Sequence, residues 1–207
     1  MKTYYNPTTF HDLLLNSLLG FILLFTVAIL LINPVNKKAD IESKAEFVIT
    51  VTWDQSCDSD VDTWLEDPLG NIAHFRQKDV GLMHLDRDDL GYANDVVYVD
   101  GQRIIFPYNQ EVTSIRGFIP GEWVLNVHLY NKNKWKGPVI VNVRIDKLNP
   151  VSRTIFIRDV KLNEKGDEVT VTRFIMSAEG DILKWDDLPK NLIQLAPTPS
   201  NINRGHN

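Results

Sequence analysis

The chain has a long apolar stretch near its N-terminus, His11–Pro34, whose sequence is HDLLLNSLLGFILLFTVAILLINP. No charged residue occurs between Leu13 and Ile32. An α-helix rises about 1.5 Å per residue, so this run spans roughly 30 Å, the thickness of the hydrocarbon core of a bilayer. A lone segment in lipid can satisfy its backbone hydrogen bonds only as a helix. The sequence therefore predicts one transmembrane helix over residues 12–34.

The rest of the chain is polar and differently patterned. From Glu46 onward, apolar and polar residues alternate with a period of two, as in FVITVTW at residues 47–53. Such alternation, interrupted by turn sequences, is typical of short β-strands. We expect an all-β soluble domain, folded as an antiparallel β-sandwich of about eight strands. The predicted segments are a short N-terminal tail (1–11), the helix (12–34), a linker (35–45), the β-sandwich (46–188) and a disordered tail (189–207).

Composition excludes several classes of function. The net charge is −5, with 27 acidic and 22 basic residues, and no basic stripe suggests a nucleic-acid partner. Cys57 is the single cysteine, so no internal disulfide can form. The sequence contains no nucleophile elbow, phosphate-binding loop or dinucleotide fingerprint. We therefore do not expect an enzyme.

One carboxylate stands at the start of the apolar run. Asp12 is followed four residues later by Asn16, so a helix places both on one face. In one interpretation Asp12 is a helix N-cap lying among lipid headgroups. In the other it is an ion relay, because a carboxylate at the edge of a membrane helix is costly unless it meets a partner, water or a proton.

Residues 6–34, NPTTFHDLLLNSLLGFILLFTVAILLINP, resemble the first segment of the ExbD/TolR class of ion-driven motor subunits, and more loosely MotB. The residues that carry the resemblance are Asn6, Thr8, Phe10, Asp12 and the leucine-rich run. It implies that Asp12 carries the transported proton, and we expect Asn16 to hydrogen-bond Asp12 or a relay water. It also implies a homodimer within a ring of polytopic ExbB/TolQ/MotA-like subunits.

The two indications of membrane orientation disagree. Lys37, Lys38 and Lys44 follow the span, whereas Lys2 precedes it. The positive-inside rule alone would place the C-terminal domain in the cytoplasm. The resemblance instead implies a single-pass protein of the bacterial inner membrane with a periplasmic domain. Because the charge bias is small on both sides, we follow the resemblance.

Acidic residues cluster in two predicted loops. The first surrounds Asp58, Asp60 and Asp62, and the second contains Asp86 and Asp88. Oxygen ligands on neighbouring loops suit Ca²⁺, and these five aspartates are the predicted ligands, although solvated turns capped by aspartate side chains explain the same pattern. Residues 60–70 and 85–91 also resemble YfaP-type bacterial β-sandwich domains.

Two functions remain open at this point. The first is a subunit of a proton-driven membrane motor or transport complex, whose β-sandwich couples motion to a target or binds one. The alternative is a membrane-tethered β-sandwich binding module with a passive anchor. The expected cofactor is none, apart from Ca²⁺ in the acidic loops.

Overall fold

The computed structural model describes residues 7–32, 44–91, 95–105 and 108–196. The chain divides into two compact units, Met1–Ser43 and Lys44–Asn207. The first unit contains a helix and the second contains the strands. This agrees with the predicted fold class of one apolar N-terminal helix followed by an all-β domain.

Helix α1 spans Pro7–Ile32 and begins five residues before the predicted boundary. Proline suits the first helical position because its missing N–H has no partner there in any helix. The window Phe10–Ile29 has a mean hydropathy of 2.1 and is long and apolar enough to cross a membrane. The hydroxyls of Ser17 and Thr26 each donate to the carbonyl four residues earlier, at 2.8 Å. Two polar groups within the apolar run are thus satisfied inside the helix. Residues 33–34, at the predicted end of the helix, lie outside the described residues.

Thirteen strands form the described part of the second unit, against the eight or so expected. They are β1 (Phe47–Trp53), β2 (Asp60–Glu66), β3 (Ile72–Ala73), β4 (Asp79–Val80), β5 (Met83–Arg87), β6 (Val96–Val99), β7 (Gln102–Ile105), β8 (Gln110–Ile115), β9 (Gly121–Asn131), β10 (Val139–Lys147), β11 (Arg153–Leu162), β12 (Glu168–Met176) and β13 (Ile182–Asp186).

Every strand pairing in the described residues is antiparallel. One sheet has six strands in the order β11-β10-β1-β8-β5-β4, and a second has five in the order β13-β12-β9-β2-β3. Strands β6 and β7 form a separate two-stranded sheet. In the second sheet, β2 pairs with β9 along its length but with β3 only at Leu65 and Glu66. Among the described residues, one edge of β2 therefore has no strand partner over residues 60–64.

Alternating residues of the two large sheets build one hydrophobic core. Strand β1 contributes Phe47, Ile49 and Val51, while β9 contributes Trp123 and Leu125, and all five are buried. The alternation that predicted β1 from sequence is therefore the pattern of its core-facing side chains. The sole cysteine, Cys57, is also buried in this core.

The segment after β13 differs from the disordered tail predicted from residue 189. Leu192 is fully buried in a second cluster with Trp64, Ile72 and Val124. The amide of Leu192 donates to Glu168 at 2.6 Å, and the Asn126 side chain donates to the Lys190 carbonyl at 2.7 Å. The ordered domain therefore extends to Ala196, and residues 197–207 lie outside the described part of the chain.

Candidate functional sites

Asp12 lies inside the helix and not at its start. Since α1 begins at Pro7, Asp12 is in the second turn, with helical residues on both sides. An N-cap residue stands at the boundary itself, and assignments of that boundary vary by only one or two residues. The N-cap interpretation is therefore wrong. Asp12 and Asn16 are both exposed, and Asp12 is the only Asp, Glu, Lys or Arg between Phe10 and Ile29.

The β domain gathers acidic side chains at the free edge of β2. One carboxylate oxygen from each of Asp62, Asp88 and Glu111 lies within 4.8 Å of the others. Asp62 belongs to β2, Asp88 follows β5, and Glu111 belongs to β8. Strands β5 and β8 pair with each other in the six-stranded sheet, whereas β2 lies in the five-stranded sheet. The cluster thus joins the two sheets where β2 has no strand partner.

Glu111 fixes this cluster to the edge of β2. Its side chain is fully buried, and its Oε2 accepts the backbone N–H of Thr63 at 2.5 Å. The free edge of a strand presents such N–H groups without ladder partners. The other oxygen, Oε1, is buried and has no hydrogen-bond partner among the described residues.

The other acids of the cluster have different partners. Asp62 is buried, and its Oδ2 lies 3.1 Å from Nδ1 of His128. Asp88 forms an ion pair with Lys78, with Oδ2 and Nζ 2.8 Å apart. Asp60 is buried beside them, and its Oδ1 has no hydrogen-bond partner in the described structure. Among the described residues, two basic side chains, Lys78 and His128, thus make these contacts with the acids.

Burial makes these carboxyl groups hard to ionise. It raises the pKa of Asp60 to about 7, with further contributions from the charges of Asp62, Asp88 and Asp89, although His128 opposes the shift. Burial also raises the pKa of Asp62, and the hydrogen bond with His128 works against this. The pKa of Glu111 lies well above its usual value, again mainly because of burial. In each case water has been removed from the charged form.

The repulsion within the cluster is large on the scale of protein stability. At an effective dielectric constant of about 20, two unit charges 4.8 Å apart repel by roughly 3.5 kcal/mol. Three ionised groups at this spacing form three such pairs, for a total of about 10 kcal/mol. Whole domains are stable by only about 5–15 kcal/mol. Lys78 and His128 offset part of the repulsion among these groups, and protons or a bound cation would offset it further.

Two of the five predicted metal ligands lie outside this cluster. Asp58 accepts the backbone N–H of Lys134 at 3.3 Å through Oδ2. Asp86 is exposed, and its Oδ1 lies 3.9 Å from Nε2 of His84 and 3.8 Å from a guanidinium nitrogen of Arg116. Both aspartates therefore act as surface partners of neighbouring groups, as in the alternative of solvated turns.

Asp60, Asp62 and Asp88 do meet in space, but the sequence prediction missed Glu111. Strand β8 reads QEVTSI and lacks the apolar alternation by which strands were identified. The available signal was the spacing of Glu111, Thr113 and Ile115. Residues two apart in a strand share a face, so the carboxylate lies on the same face as the isoleucine. A glutamate on the same strand face as a core isoleucine indicates a buried polar site.

An exposed apolar surface lies on the β6–β7 hairpin. Tyr98 is 70% exposed and Ile105 is 57% exposed, and Val99 and Ile104 are also exposed. Asp100 and Gly101 form the turn, both with positive φ. Asp and Gly are common in such turns because they tolerate the left-handed region. The hairpin therefore presents aromatic and branched side chains to its surroundings.

Comparison with protein-family models, with curated proteins and with solved structures finds no match for this chain.

Proposed function

We propose that this chain is the single-span subunit of a proton-driven membrane motor or transport complex, in which Asp12 is the ion-carrying carboxylate. The proposal includes a homodimer within a ring of polytopic ExbB/TolQ/MotA-like subunits in the bacterial inner membrane. The β-sandwich lies in the periplasm and couples the motion to a target or binds one.

The observation that carries the proposal is the position of Asp12 within α1. The carboxylate lies within the apolar window Phe10–Ile29 and is not needed to cap the helix. An ionised aspartate within a bilayer costs roughly 2.5–3.5 kcal/mol on insertion scales. Such a group is normally kept only where it meets a partner, water or a proton, which are the conditions of a proton relay.

The surroundings of Asp12 suit contact with other helices. Every α1 side chain whose exposure is described is exposed within this chain. Asn16 lies one turn further along, where its amide can bind the carboxyl group or a water beside it. Gly20 follows on about the same face, and nothing lies within 4 Å of a Cβ added there. Small residues allow membrane helices to approach closely.

The decisive test is Asp12→Asn, measured on the complex isolated from its native membrane through a tag on this chain. We expect wild type and variant to retain the same polytopic subunit, because asparagine preserves the shape of the side chain. In vesicles with a pH-sensitive dye, the variant should lose at least tenfold in proton flux. Asn16→Leu should slow the flux without abolishing it.

Ser17→Ala is the matched control within α1. Its hydroxyl bonds to the Leu13 carbonyl inside the helix, so the flux should not change. Equal proton flux in wild type and Asp12→Asn, at matched membrane abundance, would end the motor proposal. So would the absence of any polytopic subunit from the isolated complex.

The alternative is a membrane-tethered binding module with a passive anchor. The exposed apolar hairpin β6–β7 favours it, since large exposed apolar patches commonly mark contacts with other proteins. Under this alternative Asp12→Asn keeps full activity, whereas Tyr98→Ser combined with Ile105→Ser loses the partner. The two functions are therefore separated by substitutions in different units of the chain.

A further inference from the structure

We propose that Asp60, Asp62, Asp88 and Glu111 bind one Ca²⁺ ion at the free edge of β2, where the ion joins the two large sheets. This inference does not depend on the motor function, because all four residues belong to the unit Lys44–Asn207. It also replaces two of the ligands expected from sequence, Asp58 and Asp86.

Acidic residues alone do not make a metal site, but here two buried oxygens point to a missing partner. Glu111 is completely buried, yet its Oε1 has no hydrogen-bond partner among the described residues. Asp60 is 7% exposed, and its Oδ1 is also buried without a hydrogen-bond partner among the described residues. Buried polar atoms are almost always paired, so such oxygens indicate a bound ion or proton.

The geometry fits a hard cation of the size of Ca²⁺. Calcium binds six to eight oxygens at about 2.3–2.6 Å, so opposite ligands lie up to about 5 Å apart. The three converging oxygens of Asp62, Asp88 and Glu111 lie within 4.8 Å of one another. Carboxylate oxygens are the ligands that Ca²⁺ prefers, whereas thiolate or imidazole ligands favour softer metals. Within the described residues, this is the single group of three acidic, His or Cys side chains with such convergence.

The neighbouring basic side chains hold two of the carboxylates in place. Lys78 binds Oδ2 of Asp88 and His128 binds Oδ2 of Asp62, which orients both carboxylates. Outer-shell partners of this kind hold ligands in place in known metal sites.

The binding test uses Tb³⁺ as a luminescent substitute for Ca²⁺ on the full chain in detergent after EDTA treatment. The Trp64 ring lies 6.4 Å from that of His128, which contacts Asp62, so excitation of tryptophan should sensitise the bound ion. We expect saturable Tb³⁺ luminescence that Ca²⁺ displaces. Millimolar Ca²⁺ should also raise the melting temperature, since ligands stabilise the state that binds them.

The variants separate a calcium site from carboxyl groups held by protons. Glu111→Gln should weaken Tb³⁺ binding at least tenfold and abolish the thermal shift. Without metal it should melt about as wild type does, because glutamine has the shape of the carboxyl group and its amide oxygen can still accept the Thr63 N–H. Asp86→Asn is the matched control, since it removes an acid from the neighbouring surface and should bind as wild type does. If Glu111→Gln does not fold, Asp62→Asn provides the same comparison and keeps a polar partner for His128.

Two outcomes would overturn the site. One is wild-type protein without saturable Tb³⁺ luminescence and with the same melting temperature in EDTA and in millimolar Ca²⁺; protons alone then neutralise the cluster. The other is an equal loss of binding in Glu111→Gln and Asp86→Asn, which would assign the ion to the acidic surface. Displacement of Tb³⁺ by Mg²⁺ as effectively as by Ca²⁺ would contradict the choice of ion.

Discussion

Leu192→Ala tests whether the segment after β13 belongs to the folded domain. Leu192 is fully buried against Trp64, Ile72 and Val124, although the segment reads as a polar tail. The substitution removes three carbon atoms, worth about 2.4 kcal/mol at roughly 0.8 kcal/mol for each buried methylene. The cavity that remains adds to this, and buried Leu→Ala changes generally cost about 2–5 kcal/mol.

We expect a loss of about 2.5–3.5 kcal/mol, near the lower end of that range, because the cluster is small and its partly buried neighbours, including Phe75, can relax into the space. For a domain of this size, that loss lowers the melting temperature by roughly 5–14 °C. Urea unfolding of the full chain in detergent measures it. All five tryptophans lie in the β domain, so their fluorescence reports on that domain alone.

Leu195→Ala is the matched control for this prediction. Leu195 is three residues away in the same segment but is 56% exposed, so its truncation should change the free energy of unfolding by less than about 0.5 kcal/mol. If Leu192→Ala unfolds at the same urea concentration as Leu195→Ala, the segment does not pack on the sheet. The disordered tail would then begin at residue 189, as the sequence predicts.

Two further predictions concern a turn and a buried histidine. Gly180 and Gly166 both have positive φ, but a Cβ on Gly180 would lie 2.3 Å from the Phe118 ring, whereas Gly166 has open space. Gly180→Ala should therefore cost clearly more than the roughly 1–2 kcal/mol expected of Gly166→Ala in urea unfolding, and equal losses would contradict the ring contact. Burial, and then the charge of Arg76, lowers the pKa of His74 below its usual value of 6.5. This histidine thus contributes stability that is present above pH 6.5 and is lost as the pH falls toward the folded-state pKa. The difference in free energy of unfolding between wild type and His74→Gln should therefore shrink as the pH falls from 7.5 to 5.5. A difference that stays constant over this range would exclude the effect.

The strands could be predicted from sequence where their two faces differ in polarity. Strand β1 is the clear case, because the alternating segment at residues 47–53 is the strand Phe47–Trp53. Strand β8 was missed because its core-facing positions include Glu111 and Thr113 beside Ile115. A strand that carries a site on its inner face loses the period-two pattern that would reveal it.

The acidic site shows a different limit of sequence reasoning. Proximity in sequence grouped Asp58 with Asp60 and Asp86 with Asp88, yet one member of each pair lies outside the cluster. Asp60 and Asp62 are two residues apart within β2, whereas Asp58 precedes that strand. Asp86 lies at an irregularity between Leu85 and Arg87 in the pairing of β5 with β8, and Asp88 follows β5. Glu111 lies 48 residues after Thr63, and its carboxylate accepts the backbone N–H of that residue. Only the sheet topology brings such distant residues together.

The two proposed sites use their carboxyl groups differently, so experiments can distinguish a failure of the motor proposal from a failure of the calcium proposal. Asp12 must exchange a proton to act, so its amide variant should fold and assemble but lose proton flux. Glu111 instead must stay ionised to bind Ca²⁺. Its amide variant should therefore lose the bound metal and yet remain folded in the metal-free state. A chain whose Asp12→Asn variant is inactive but still binds Tb³⁺, and whose Glu111→Gln variant loses Tb³⁺ but still supports proton flux in the complex, would have a motor helix and a structural calcium site that act separately. Loss of flux in Glu111→Gln, with the polytopic subunit still bound, would instead show that the motor needs the calcium-bound form of the β domain, because the substitution touches no residue of α1.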